Sequence, residues 1–379
     1  MANEIVFLTN LIPHYRFSFY RNLNQKLNNR ITIITGNTKN TQWRSAARNI
    51  DGINNMSLVE KHFFLGNFQV IWQKGLLNTI YNINPSIIIL SGISGYLTNW
   101  LVLIISKIKK NKTIMWSCGW EKQAPNTLSY FIKRFLLKKY QSLADYHIVY
   151  STNAKKALIS NGIDSATIRI AYNGIDVEAL SQKETSIYRQ STILKHNQCY
   201  KDKQIFLYTG VLLEEKRVTL LIEAFYNLNE LYNNLYLWIV GDGPLLADLK
   251  ILCHSKGIEN VMFWGKDEET VDKYFAACDF FVLPGIGGLA LNQAMFWKKP
   301  CIVSTADGTE DDLVKDGING FRFKSGSIES LTSAMLKVLQ LSQNEIADMG
   351  ERNREIILKR SNTAQMVDTF MKVIDLCYK

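Results

Sequence analysis

The reading of this 379-residue chain turns on Val282-Leu-Pro-Gly-Ile-Gly-Gly-Leu-Ala-Leu-Asn-Gln-Ala-Met-Phe-Trp-Lys-Lys-Pro-Cys-Ile-Val-Ser304. Its grammar is strand, glycine loop, helix, turn, strand. Residues 280–283 form a short apolar run suited to a buried parallel strand. Gly285, Gly287 and Gly288 let backbone approach a ligand with no Cβ in the way. Residues 291–297 then read as a helix, with Lys298 and Lys299 at the end where cations suit the dipole. A glycine loop that feeds a helix N-terminus is suited to phosphate or another anion.

On either side the same grammar repeats. In the first half, strands are expected at residues 4–9, 31–36, 86–90, 112–117 and 146–150. In the second they are expected at 204–210, 235–240, 261–265 and 280–283, each followed by a helical pattern. Alternating strand and helix implies parallel sheets with right-handed crossovers. The fold class is therefore α/β. Ligands of such sheets sit at the C-terminal ends of strands, which brings His14, Tyr15 and Arg16 to a site in the first half. Residues 37–66 read as irregular, and the polar residues 178–203 as a linker.

Composition narrows the class. With 47% apolar residues the chain can bury sizeable cores. The six cysteines (118, 199, 253, 278, 301 and 377) show no metal-ligand spacing, which fits free thiols in a reducing, cytosolic setting. Met1-Ala-Asn-Glu leads into a strand-like run, so no secretory leader is expected. The apolar run at residues 100–105 is too short to cross a bilayer.

Charge is uneven. Residues 1–150 carry 18 Lys/Arg against 5 Asp/Glu (+13), whereas residues 151–379 carry 26 against 29 (−3). The first half thus calls for an anionic partner. Residues 127–143 read as an amphipathic helix with Phe131, Ile132, Phe135, Leu136 and Leu143 on one face. Lys133, Arg134 and Lys138 lie on the other face, and Lys139 near the apolar edge. Such a helix suits an anionic membrane surface. No nucleic-acid module is visible, and no nucleic-acid partner is expected.

The second half resembles glycosyltransferase family 4, whose members have the GT-B fold. The resemblance is carried by Tyr208-Thr-Gly-Val-Leu-Leu-Glu-Glu-Lys216, Leu220-Leu-Ile-Glu-Ala224, Ile239-Val-Gly-Asp-Gly-Pro244, Val261-Met-Phe-Trp-Gly265 and the opening stretch. The turns Asp307-Gly, Asp316-Gly-Ile-Asn-Gly-Phe321 and Asn173-Gly-Ile-Asp176 belong to it too. The pieces span residues 168–325 in order; Ile12-Pro-His-Tyr-Arg16 and Trp116-Ser-Cys-Gly-Trp120 match more loosely.

The resemblance implies two Rossmann-like domains facing across a cleft. Residues 1–180 would form the acceptor side and 200–360 the nucleotide-sugar side, with helix 361–379 packing back on the first. It implies retaining transfer from a nucleotide-sugar to a growing, lipid-linked cell-surface glycan such as lipopolysaccharide or capsule. The setting would be the cytoplasmic face of a membrane, with no cofactor and no metal. Lys216 matches the family's diphosphate lysine. Val211 stands where a cation is usual, and Arg217 is a candidate substitute. Backbone amides at Gly287, Gly288, Leu289 and Ala290 would grip phosphate and sugar. Trp264, Gly265 and Lys266 would hold the base, and Gly210, Gly241 and Asp242 would line the donor. Gly119 and residues 14–16 would face the acceptor.

Three further positions depart from the pattern. Gly285 and Gln293 occupy the places of an acidic pair, and Cys118 stands where many members carry His. Gln293 retains a hydrogen-bonding amide for ribose. The catalytic candidates are thus Lys216, Arg217 and Cys118. The alternatives are a non-catalytic partner subunit that kept the fold and a nucleotide-sugar epimerase on the same scaffold.

Overall fold

The structure, a computed structural model, describes residues 4–36, 46–47, 49–65, 68–119, 128–197, 200–306 and 308–379. Trp120, Cys199 and Asp307 lie outside the described residues. The chain divides into two compact units. One runs to Tyr172 and takes in Thr363–Lys379; the other is Asn173–Asn362.

The first unit holds strands β1 (Ile5–Thr9), β2 (Ile31–Gly36), β3 (Asn54–Leu58), β4 (Ile87–Ser91), β5 (Lys112–Ser117), β6 (Tyr146–Val149) and β7 (Ile168–Ile170). They form one parallel sheet in the order β7-β6-β5-β4-β1-β2-β3. The second unit holds β8 (Gln204–Thr209), β9 (Leu235–Val240), β10 (Val261–Gly265), β11 (Phe280–Leu283), β12 (Cys301–Ser304) and β13 (Gly320–Phe323). Their order is β10-β9-β8-β11-β12-β13, again all parallel. In both sheets the first strand is central, with the second and third strands laid out on one side of it and the fourth onward on the other, the doubly wound Rossmann order. Helices cover both faces, so the central strands are apolar along their length. Ile205–Tyr208 and Phe280–Leu283 are fully buried.

Helix Thr363–Cys377 places Met366, Val367, Phe370, Val373 and Ile374 in the core of the first unit, where Phe370 stacks on Phe7 and meets Trp116 edge-on. Helix Gln343–Arg360 starts with a capping box. Ser342 Oγ accepts from the Glu345 amide at 3.3 Å, and Glu345 accepts from the Ser342 amide at 2.8 Å. Such a cap contributes about 1 kcal/mol.

Two expectations are corrected. Of residues 178–203, read as a linker, those up to 197 belong to helix Val177–Asn197 of the second unit. Val177, Leu180, Ile187 and Leu194 pack into that unit's core, and Arg354 clamps Glu184 through two bonds of 2.6 and 2.7 Å. Within 37–66, Asn54–Leu58 joins the sheet and Glu60–Leu65 pairs with Phe68–Gln73 in an antiparallel hairpin. The helix expected at 127–143 forms as Leu128–Gln141. Its buried side chains include Leu137 and Tyr140, whereas Phe131, Ile132, Phe135 and Leu136 face solvent.

Candidate functional site

In the second unit, the switch of strand order falls between β8 and β11, so the loops leaving these two strands meet. Gly285 lies against the first loop: a Cβ there would stand 2.3 Å from the Glu215 carbonyl oxygen. The Ile286 amide donates to that same oxygen at 3.1 Å. Lys216 answers from the other side. Its ammonium donates to the carbonyls of Ile286 at 2.6 Å and Gly287 at 3.0 Å. Sequence reading placed Lys216 and Gly287 in one site, and the structure brings them into contact.

The neighbouring strand ends close in by the same means. Gly241 has φ +154°, and a Cβ on it would lie 1.9 Å from the Gly210 carbonyl oxygen. The Gly241 amide donates to Gly265 at 2.7 Å, and the Leu212 amide to Asp242 at 3.0 Å. Asp242 turns its carboxylate onto the Gly243 amide at 2.7 Å. Gly210, Gly241, Asp242 and Gly265 thus share one strand-end edge. Tyr208 holds it from below: its hydroxyl donates to the Val211 carbonyl at 3.1 Å, and burial pushes this phenol's pKa up.

Helix Ala290–Phe296 follows the loop, with Leu289 at its N-cap and no side-chain cap bond. Gly288 is exposed with open space at its Cβ position. Gln293 is half-buried one turn into the helix.

Other residues are placed elsewhere. Exposed Arg217 has φ +55° and donates to Ser325, so its guanidinium diverges from the Lys216 ammonium. Lys266 pairs with Glu268 at 3.2 Å on the surface. Trp264 is packed edge-on against Trp238 (ring centroids 5.4 Å apart) and tilted on Tyr274 (5.3 Å), so its ring serves the core.

In the first unit, Arg16 closes a 3-10 turn with His14 and Tyr15, both exposed. Its guanidinium sits 3.9 Å from the Trp116 ring centroid and donates to Tyr150 Oη at 3.0 Å. Gly119 has φ +78° and would set a Cβ 2.7 Å from the Ala154 carbonyl. The Cys118 thiol is exposed.

Two buried polar residues of the second unit escaped the sequence reading. Glu310 is 1% exposed, accepts from the Gly308 amide at 3.2 Å, and would stand 3.0 Å from a Cβ on Gly287. It therefore underlies the glycine loop. Asn292 is equally buried and donates to Asn173 O (2.9 Å) and Ser361 Oγ (2.8 Å). It ties the loop's helix to the places where the chain enters and leaves this unit. Neither carries a local signal. Glu310 sits in an acidic run, and Asn292 is one polar residue in a helical stretch.

Among the described residues no three His, Cys, Asp or Glu side chains gather as metal ligands.

Residues 190–356 match the family described as "Glycosyl transferases group 1". An uncharacterized glycosyltransferase of Methanocaldococcus jannaschii is 28% identical over 67% of this chain and 64% of its own length. The lipopolysaccharide 1,6-galactosyltransferase of Salmonella typhimurium is 24% identical over 52% of this chain and 53% of its own. The chain thus spans between about half and two thirds of the length of these relatives. Among solved structures, Anabaena HepE in complex with UDP has a TM-score of 0.77 at 16% identity, over 98% of this chain and 99% of HepE. HepE with UDP-glucose has a TM-score of 0.71 at the same identity and coverage. The likeness shows the fold: the two Rossmann-like units are those of a GT-B protein.

Proposed function

We propose that this chain is a retaining glycosyltransferase. It moves a hexose from a nucleotide-sugar, a UDP-sugar first among the candidates, to a lipid-linked glycan of the cell surface. The observation that carries the reading is Lys216, aimed from the β8 loop into the 285–288 loop at the switch point of the second sheet. Its ammonium now satisfies two neutral carbonyl oxygens. A diphosphate offers it charge-assisted bonds, which are roughly twice as strong.

In this reading the donor's diphosphate lies along residues 287–290, gripped by backbone amides and Lys216. As the sugar–phosphate bond breaks, these fixed donors stabilise the departing charge, and no metal takes part. Gln293 bonds ribose through its amide. Arg217 adds long-range positive potential from the surface rather than a direct contact. The work is cytoplasmic, with the first unit meeting an anionic membrane surface through Lys133, Arg134, Lys138 and Lys139. The Salmonella galactosyltransferase and HepE support the choice of acceptor class and donor class, respectively.

One observation favours a second reading. No acidic side chain fits at Gly285 without moving Glu215, so one of the family's acidic pair is absent and its place is closed. A GT-B partner subunit that binds donor without turning it over would look the same. Incubation with UDP-sugars and a membrane glycolipid fraction separates the readings. The transferase releases UDP and extends a lipid-linked glycan, whereas binding without either product identifies the partner subunit. Failure to bind any nucleotide-sugar contradicts both.

A further inference from the structure

Helix Leu128–Gln141 turns an apolar surface outward. Phe131 and Phe135 are 56% and 59% exposed, and Ile132 and Leu136 accompany them. Leu137 and Tyr140 anchor the helix from its other side. Arg134, Lys138 and Lys139 are exposed among the outward apolar residues, Lys133 is half-buried on the side of Leu137, and the helix contains no Asp or Glu. The neighbouring helix Leu97–Lys109 repeats the inversion. It buries Thr98, Asn99 and Ser106 beside Val102 and Leu103, yet shows Ile104 and Ile108 to solvent, the latter 77% exposed. It too lacks acidic residues and carries Lys107 and Lys109. Trp100 meets Tyr140 at 5.1 Å, so both helices belong to one layer on one face of the sheet.

Each isolated feature is ordinary; their combination is not. Water alone gives no reason to bury Thr and Asn while exposing Ile and Phe. A protein partner with an apolar face would not require both helices to be free of acidic residues. An anionic bilayer meets both conditions, since its headgroups attract the cations and its acyl boundary takes the rings.

We propose that helix Leu128–Gln141 lies in the headgroup layer of an anionic membrane with Phe131 and Phe135 inserted, and that helix Leu97–Lys109 rests beside it. This builds on the membrane-surface reading above and deepens it, from attraction between charges to burial of side chains. Insertion works without crossing: no helix of the described residues is long and apolar enough to span a bilayer.

The test is flotation of the whole protein with vesicles of phosphatidylglycerol and phosphatidylcholine, without donor or acceptor. The wild type should float with them, and a fraction should persist at 1 M salt, where charges are screened beyond about 3 Å. Phe131→Ser with Phe135→Ser should remove that persistent fraction. It should also cost about tenfold or more in affinity per ring, given typical burial of an aromatic side chain. Neutralising Arg134, Lys138 and Lys139 to Gln should cost about fivefold each at low salt. Both side-chain sets are exposed, so unchanged thermal unfolding of the variants confirms that their folds are intact. Binding that is fully reversed by salt and indifferent to the Ser variants overturns insertion while leaving the surface reading standing. Absence of binding at any salt overturns both. Self-association in solution that the Ser variants abolish, without vesicle binding, assigns the surface to a second copy instead.

Discussion

Gly285 approaches Glu215 so closely that a Cβ on it would stand 2.3 Å from the Glu215 carbonyl oxygen, inside any permitted contact. The glycine therefore has a steric reason: it lets the β11 loop dock on the β8 loop. Gly285→Glu, which introduces the acidic residue that the resemblance places there, should lower stability by about 3 kcal/mol or more and weaken donor binding rather than improve turnover. Thermal unfolding with a UDP-sugar titration checks both effects.

Gly241 is a second position where backbone meets backbone. Its φ of +154° and a Cβ position 1.9 Å from the Gly210 carbonyl leave no room for Ala. Gly241→Ala should cost about 3 kcal/mol or more in chemical denaturation. Gly288→Ala, with open space at its Cβ position, should leave stability within about 0.5 kcal/mol of the wild type.

Asn292 joins Asn173 and Ser361 inside the second unit. Asn292→Ala removes both bonds from a buried site and should destabilise by about 1–3 kcal/mol. The helix it anchors carries the loop that Lys216 touches, so donor affinity should fall as well. Unchanged affinity in a destabilised variant would limit Asn292 to holding the fold.

His147 gives the first unit a pH dependence. It is 1% exposed on β6, with neither ring nitrogen bonded among the described residues. Burial lowers its pKa from 6.5 to about 4, against a smaller upward pull from Asp145. The unfolded chain takes up this proton near 6.5 and the native chain only near 4. Between those values the unfolded state binds more protons, so stability falls as pH drops, by about 3 kcal/mol in all. His147→Phe should flatten that part of the stability–pH curve. A variant curve parallel to the wild type would assign the loss to other groups.

Much of the fold was legible because apolar strands end in small, sharp turns. The runs Ile5–Leu8, Ile205–Tyr208 and Phe280–Leu283 are continuous because parallel strands are buried on both faces. Gly210, Gly241 and Gly285 mark the ends where loops converge. Helix Val177–Asn197 was hidden by its polar composition, although Val177, Leu180, Ile187 and Leu194 recur at helical spacing along its narrow packed side. The hairpin at Glu60–Gln73 was hidden because its exposed Phe63 and Phe64 break the alternation that marks a strand.

The site was legible in part, for a related reason. The glycines lie in local turns written in adjacent residues, and Lys216 entered through the resemblance of its motif. Glu310 and Asn292 act through contacts that form only after distant segments fold together.

The central claim is that Lys216 holds the diphosphate of a nucleotide-sugar. Calorimetric titration of UDP and UDP-glucose into the wild type and Lys216→Ala tests it most directly. The account predicts saturable binding by the wild type and about a tenfold or greater loss in the variant, the range for removing one charge-assisted hydrogen-bonding group. Equal affinity in the two proteins, or no binding of either ligand by the wild type, would contradict it.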